Sequence, residues 1–453
     1  FMIYVMRRYT VLLLLFLCCG CVAAGERLYY SAPSAIPGTI RQMKSPGFWI
    51  SRNAFPDKVV ISPSGIQAFN DRIMTGLGLT RDIRGISDPY PGNDLIRDIE
   101  GQLTGLAGVK LYLKDGSLAG ADFYGRIRMN ADLAAIPPGI KLLYGFISEY
   151  ADLRVLPVHD GLYAKAFDLD FDELQNSALD MTTPVAILHK SRDKKWFYVV
   201  SATASGWAEA SNVVTCGRAE LNDYFNRDDF AVVISPKADI YLDPRLTEYY
   251  DFVQMGTKLI VKAVDPGESA RVIIPMRGGD GSAIFKICYM NKADLNMGYL
   301  VYTPRTVIQQ AFKLLNAPYG WGGMYGEQDC SRFIQQVFGT VGLILPRNSS
   351  AQADSGIMLG EFNGFNNSDA EKNKLLAEKA SGGTVILYMK GHIILYLGME
   401  GGRPYGIHSA WGYRDGNTVR VINRVVVSDL DLGRGSKRGS LLSRIKAIRF
   451  IAN

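Results

Sequence analysis

At 453 residues the chain is too long for one ordinary domain, and about three are expected at roughly 150 residues each. An apolar content of 47% supports packed cores and excludes global disorder. The net charge of +6 comes without a long basic run, which argues for a solvated surface and against a nucleic-acid face, and leaves attraction to an acidic polymer such as a cell wall open.

The first 24 residues read as a secretory signal. Arg7 and Arg8 precede an unbroken apolar run at 11–17, and the small residues Gly20, Ala23 and Ala24 follow. The run is shorter than the roughly 20 residues a membrane helix needs. Leu17-Cys18-Cys19-Gly20-Cys21 resembles a bacterial lipoprotein signal, in which a small residue precedes the lipidated cysteine. Cys21 after Gly20 fits, whereas Cys18 stands where an aliphatic residue is usual. The resemblance implies acyl chains on Cys21 and a membrane anchor; ordinary cleavage near Ala24 is the alternative. Beyond the signal only Cys216, Cys288 and Cys330 remain, too few for a disulfide scaffold. Cys216 and Cys288 read as buried thiols rather than as a pair.

Residues 25–150 are the least informative. Pro33, Pro37, Pro46 and Pro56 break the first part into extended pieces, a short helix is expected over 65–74, and turn-rich sequence follows. The region reads as a mixed α+β lead-in that packs on later domains. From 151 short strands dominate. Those at 185–189 and 196–200 flank a polar turn, as in a hairpin, and Gly206-Trp207 follows. Residues 151–216 resemble the bacterial SH3-like module, a small β-barrel. Strand-like runs at 230–234, 240–242, 258–264, 272–275 and 283–289 end in Gly298-Tyr299-Leu300. Residues 217–302 therefore read as a second, diverged SH3-like module. Trp196, Tyr198 and Trp207 are either core side chains or wall-facing aromatics.

Residues 303–453 begin with a helix that Thr303 caps and Pro304 opens, stopped by Asn316-Ala317-Pro318. A glycine-rich stretch then leads to Asp329-Cys330-Ser331, after which Phe333, Ile334, Val337 and Phe338 recur at helical spacing. Asp329 is the expected N-cap, and Cys330 sits in the first turn, where the helix dipole favours a thiolate. Residues 361–380 read as a loop and a surface helix. Strands are expected at 384–389, 393–397, 405–410, 418–427 and 445–451, giving helices followed by an antiparallel sheet.

A cysteine nucleophile needs a base and a group to orient that base. Of the four histidines, His159 and His189 lie in the strand-rich middle, and His392 and His408 share a domain with Cys330. If 398–402 is a five-residue loop, Leu397 faces Arg403, Leu395 faces Tyr405, Ile393 faces Ile407, and His392 faces His408. Facing residues share one side of the sheet at roughly 4.5–5.5 Å, and a slip of one residue would separate them. A thiol hydrolase, an inert buried cysteine and a zinc site of Cys330, His392 and His408 are the competing readings. The Gly-x-Ser-x-Gly and His-Glu-x-x-His patterns are absent.

Tyr319-Gly320-Trp321-Gly322-Gly323, Asp329-Cys330-Ser331, Gly391-His392 and His408 together resemble the NlpC-type cell-wall cysteine peptidases, and Leu345-Pro346-Arg347 with Gln352 matches a segment common there. The resemblance covers 303 to about 415. It implies a multidomain α+β chain: two small SH3-like β-barrels followed by a papain-like α+β cysteine peptidase domain over 303–453. It also implies that Cys330 is the nucleophile, His392 the base and His408 the orienting residue. Tyr319 would lie near the oxyanion site. Asp329 and Ser331 would bind the free amine of the substrate's first residue, with Trp321 and Arg332 further substrate-side positions. Arg332 departs from the glycine of many members. The implied protein is an exported, monomeric hydrolase of the bacterial envelope that needs no metal or cofactor. Its implied substrate is the bond between γ-linked D-glutamate and a diamino acid, typically diaminopimelate, in peptidoglycan stem peptides with a free N-terminal L-alanine. An amidase or acyltransferase using the same triad, and a non-catalytic wall-binding lipoprotein, are the rivals.

Overall fold

The computed structural model describes residues 29–362 and 368–452, so the expected signal segment and Cys21 lie outside the described residues. Strand β1 (Tyr29–Ser31) and helices α1 (Pro46–Ile50) and α2 (Pro63–Asp71) come first. The Ser62 hydroxyl caps α2 by accepting from the Gly65 amide. Strand β2 (Tyr90–Pro91), α3 (Gly92–Ala107), α4 (Ala121–Ala131) and β3 (Gly139–Ile140) follow. In α3 Leu95, Ile99 and Leu103 make one buried stripe. Gly92, Gly101 and Gly105 disguise it as turn sequence, and packing of the stripe overrides their poor helix propensity.

This lead-in packs on two different neighbours. Trp49, Ile50, Phe69 and Ile73 join the core of the carboxy-terminal domain. Leu95, Ile99, Leu103, Phe123 and Ile127 join the core of the first barrel.

The first barrel is a seven-stranded antiparallel sheet: β4 (Leu143–Ile147), β5 (Ala151–Arg154), β6 (Gln175–Leu179), β7 (Pro184–Lys190), β8 (Trp196–Val200), β9 (Ser205–Glu209) and β10 (Val213–Cys216). Its order is β10-β4-β7-β8-β9-β5-β6, so β4 enters from before residue 151. After α5 (Arg218–Asn226) come β11 (Phe230–Val233), β12 (Lys237–Tyr241), β13 (Tyr249–Gln254), β14 (Lys258–Val264), β15 (Ser269–Arg277), β16 (Ala283–Asn291) and β17 (Leu295–Met297). Their order is β13-β12-β16-β15-β14-β11-β17. Adding seven to each strand number of the first sheet reproduces the second. The two sheets thus share one topology, as a diverged repeat requires. Trp196, Tyr198 and Trp207 are core side chains, each at most 3% exposed.

The last domain holds α6 (Pro304–Lys313), α7 (Cys330–Gly339), α8 (Ser349–Gln352), β18 (Ile357–Glu361), α9 (Asp369–Lys379), β19 (Val385–Met389), β20 (His392–Glu400), β21 (Arg403–Asp415), β22 (Thr418–Asp429), α10 (Leu441–Arg444) and β23 (Ala447–Phe450). Its sheet runs β1-β22-β21-β20-β19-β23-β18. Strand β20 is buried on both faces, which explains its unbroken apolar run. Ile393, Leu395 and Leu397 meet α6 and α7, and Ile394 and Tyr396 meet α9 and the segment around Leu430. Among the described residues no helix is long and apolar enough to cross a membrane.

Candidate active site

Helix α7 starts where Asp329 caps it, accepting from the amides of Ser331 (3.1 Å) and Arg332 (2.9 Å). Its apolar face pins the helix on β20, and Cys330 at its head is 8% exposed. The nearby backbone amides of Ile393 and Ser331 favour the anion of Cys330. The first of these is next in chain to His392. Burial, reinforced by the Asp329 carboxylate, pushes the thiol up to about 12. The dipole expectation of a resting thiolate is therefore overturned: desolvation outweighs the helix amides, which the N-cap has largely consumed.

His392 and His408 do meet, with His392 Nε2 2.6 Å from His408 Nδ1. The route differs from the expected one. Glu400 pairs with Arg403 around a two-residue turn, Gly401-Gly402, both with positive φ (56° and 75°), as a type I′ hairpin requires. A bulge between Tyr396 and Gly398 then brings Leu395 opposite Ile407. Continuing that register sets His392 across from Ala410 and makes the two histidines a diagonal pair on one face. Because the shift is two residues, the shared face survives. His408 Nε2 lies 2.9 Å from Ser428 Oγ. The contact leaves His392 Nδ1 as the nitrogen not committed to this chain. Burial, with the charge of Arg444 adding to it, lowers His392 to about 3. Burial and His392 lower His408 well below its usual range. Among the described residues no three His, Cys, Asp or Glu side chains form a metal-ligand set.

Tyr319, Trp321, His392, His408 and Trp411 line one cavity of about 380 Å³. Burial, then Asp329 and Cys330, keeps the Tyr319 hydroxyl protonated far above its ordinary range. Trp321 donates to the Asp172 carbonyl (2.9 Å), and Phe171 of the first barrel bridges Trp321 and Trp411 at 5.1 and 5.0 Å between rings. Phe171, not Trp196 or Trp207, is thus the barrel's aromatic contribution to the cavity. No motif marks it, because only docking of the barrel brings it there.

Asp329, Ser331 and Arg332 are engaged inside the protein. Arg347 donates to both Asp329 oxygens (3.1 and 2.7 Å) and to Ser331 Oγ (2.8 Å). Burial opposes ionisation of Asp329, but the charge and hydrogen bonds of Arg347 hold its carboxyl below the usual range. Arg332 donates to the Ala178 carbonyl (2.9 Å), Asp180 (2.7 Å) and Gln254 (2.9 Å). It ties α7 to both barrels rather than lining the cavity. The glycine loop is fitted the same way. A Cβ on Gly322 would lie 2.6 Å from Gln175, and one on Gly323 would lie 2.9 Å from Ala178.

The NlpC/P60 family model matches residues 316–421, and that of the SH3 domain of SH3b1 type matches 162–209. No curated protein matches the chain. An NlpC/P60 endopeptidase from Photobacterium damselae subsp. piscicida is similar in structure, with TM-score 0.68 and 19% identity over 87% of this chain and 94% of that one. An NlpC/P60 family protein from Bacillus cereus aligns with TM-score 0.49 and 17% identity over 68% of this chain and 100% of that one. The chain therefore carries an NlpC/P60 domain over 316–421, behind an SH3 domain of the SH3b1 type over 162–209.

Proposed function

We propose that the protein is an exported peptidoglycan hydrolase that cleaves the γ-D-glutamyl–diamino acid bond of stem peptides, with Cys330, His392 and His408 as its triad. The observation that carries this is a cysteine at the head of α7 in one domain with a histidine pair, His392 Nε2 lying 2.6 Å from His408 Nδ1 and both histidines lining one cavity with Tyr319. With His392 neutral and Nε2–H donated to His408, Nδ1 accepts the thiol proton as sulfur attacks the γ-carbonyl. The Ser331 and Arg332 amides serve the N-cap, so the Cys330 amide and the protonated Tyr319 hydroxyl are the oxyanion donors. His392 then protonates the leaving amine, and water hydrolyses the thioester. The occupied carboxylate of Asp329 argues for a structural role there, and the free substrate amine is assigned to no residue. Lipidation of Cys21 remains part of the proposal and would anchor the hydrolase to a membrane.

Mass spectrometry of defined muropeptides tests this. The wild type should release L-alanyl-γ-D-glutamate, and Cys330→Ala should release none. Loss of a different amide bond, or wall binding without any released fragment, would replace this reading with an amidase or a binding protein.

A further inference from the structure

The cavity that holds the histidine pair is also where unneutralised cations gather. Lys165, Arg414, Arg438 and Arg444 line it, against one acid, Asp168. Among the neighbouring arginines, Arg403 pairs with Asp429, Arg420 with Asp415 and Arg434 with Asp431, while Arg424 donates to the Ile422 carbonyl. Among the described residues Arg414, Arg438 and Arg444 form no such ion pair. Arg444 is half-buried, and burial together with the charge of Arg438 disfavours its cationic form. Ser436 Oγ, on the same wall, is buried without a hydrogen-bond partner. Like charges held together beside an unsatisfied hydroxyl are unfavourable until an anion enters, and guanidinium forks match carboxylates.

We propose that this wall is an anion subsite for free carboxylates on the residues flanking the scissile amide, so that the enzyme selects unamidated stem peptides. This deepens, and rests on, the peptidase reading above. Two sources share the chemistry: the α-carboxylate of the glutamyl residue and the side-chain carboxylate of diaminopimelate.

Three tripeptides separate them: L-alanyl-γ-D-glutamyl-diaminopimelate, its glutamyl α-amide, and the peptide with lysine in place of diaminopimelate. Binding to Cys330→Ala is measured by calorimetry, and cleavage by the active protein. Arg438 is exposed, so R438Q should fold normally. R438Q and R414Q should each weaken binding of the fully charged peptide by about tenfold or more and flatten the preference over one neutral analogue, which names the source. Equal binding of all three peptides by the parent protein, or a preference that survives both substitutions, overturns the subsite. Arginine-dependent binding without cleavage of any peptide would sink the peptidase reading and leave the subsite standing.

Discussion

At the scale of single residues, burial governs the chemistry. Cys330 and His392 rest as thiol and imidazole, so in the proposed mechanism proton transfer accompanies attack rather than preceding it. His408, 2% exposed and bonded at both nitrogens, carries a stability consequence. Its folded pKa lies well below 6.5, whereas an unfolded histidine takes up a proton near 6.5. Below that pH the unfolded chain binds the extra proton, so stability is complete above about 6.5 and falls as pH drops, by up to about 1.4 kcal/mol per pH unit. Denaturant titrations at pH 7 and pH 5 should show a shallower loss in His408→Asn than in wild type; parallel losses would remove His408 as the source. The histidine contact was legible because side chains repeat every second residue. An error of two in the register left them on one face, where an error of one would not. Ser428, which closes the chain of hydrogen bonds, carried no signal beyond a polar residue ending a run of valines.

At the scale of elements, the glycine loop before Cys330 is shaped by its seat on β6. Gly323 has φ +90° and no room for a Cβ beside Ala178, whereas Gly416, at φ +59°, has nothing within 4 Å. Gly416→Ala should cost about 1–2 kcal/mol of backbone strain and leave activity intact. Gly323→Ala adds a collision that moves the loop carrying Tyr319 and Trp321, and kcat/KM should fall by about tenfold or more. Equal kinetics for the two variants would detach the loop's fit from catalysis. Helix α7 was legible from its apolar spacing and its Asp cap. Helix α3 was not, since three glycines mask a stripe that only tertiary burial rewards.

At the scale of the whole molecule, the NlpC/P60 domain and both barrels pack together around α7. Arg332 is the strut: removing it strands Asp180 as a buried, unpaired carboxylate that burial already pushes up. Arg332→Gln should lower stability by about 3–5 kcal/mol, with part recovered in Asp180→Asn/Arg332→Gln, as a double-mutant cycle in denaturant would read. Additive losses would mean that the pair is not coupled. The sequence flagged Arg332 as a departure from glycine on the substrate side and not as a strut, because its three partners lie about 78 to 154 positions away.

The sequence by itself determined what local periodicity and capping can specify: the cysteine at a helix head, two histidines of matching parity, short strands in two runs, and the order of modules. Only the tertiary structure decided the protonation of the cysteine, the partners of Asp329 and Arg332, the aromatic that closes the cavity and the cations that charge it. Those depend on desolvation and on contacts between distant segments, and neither is written in the spacing of neighbouring residues.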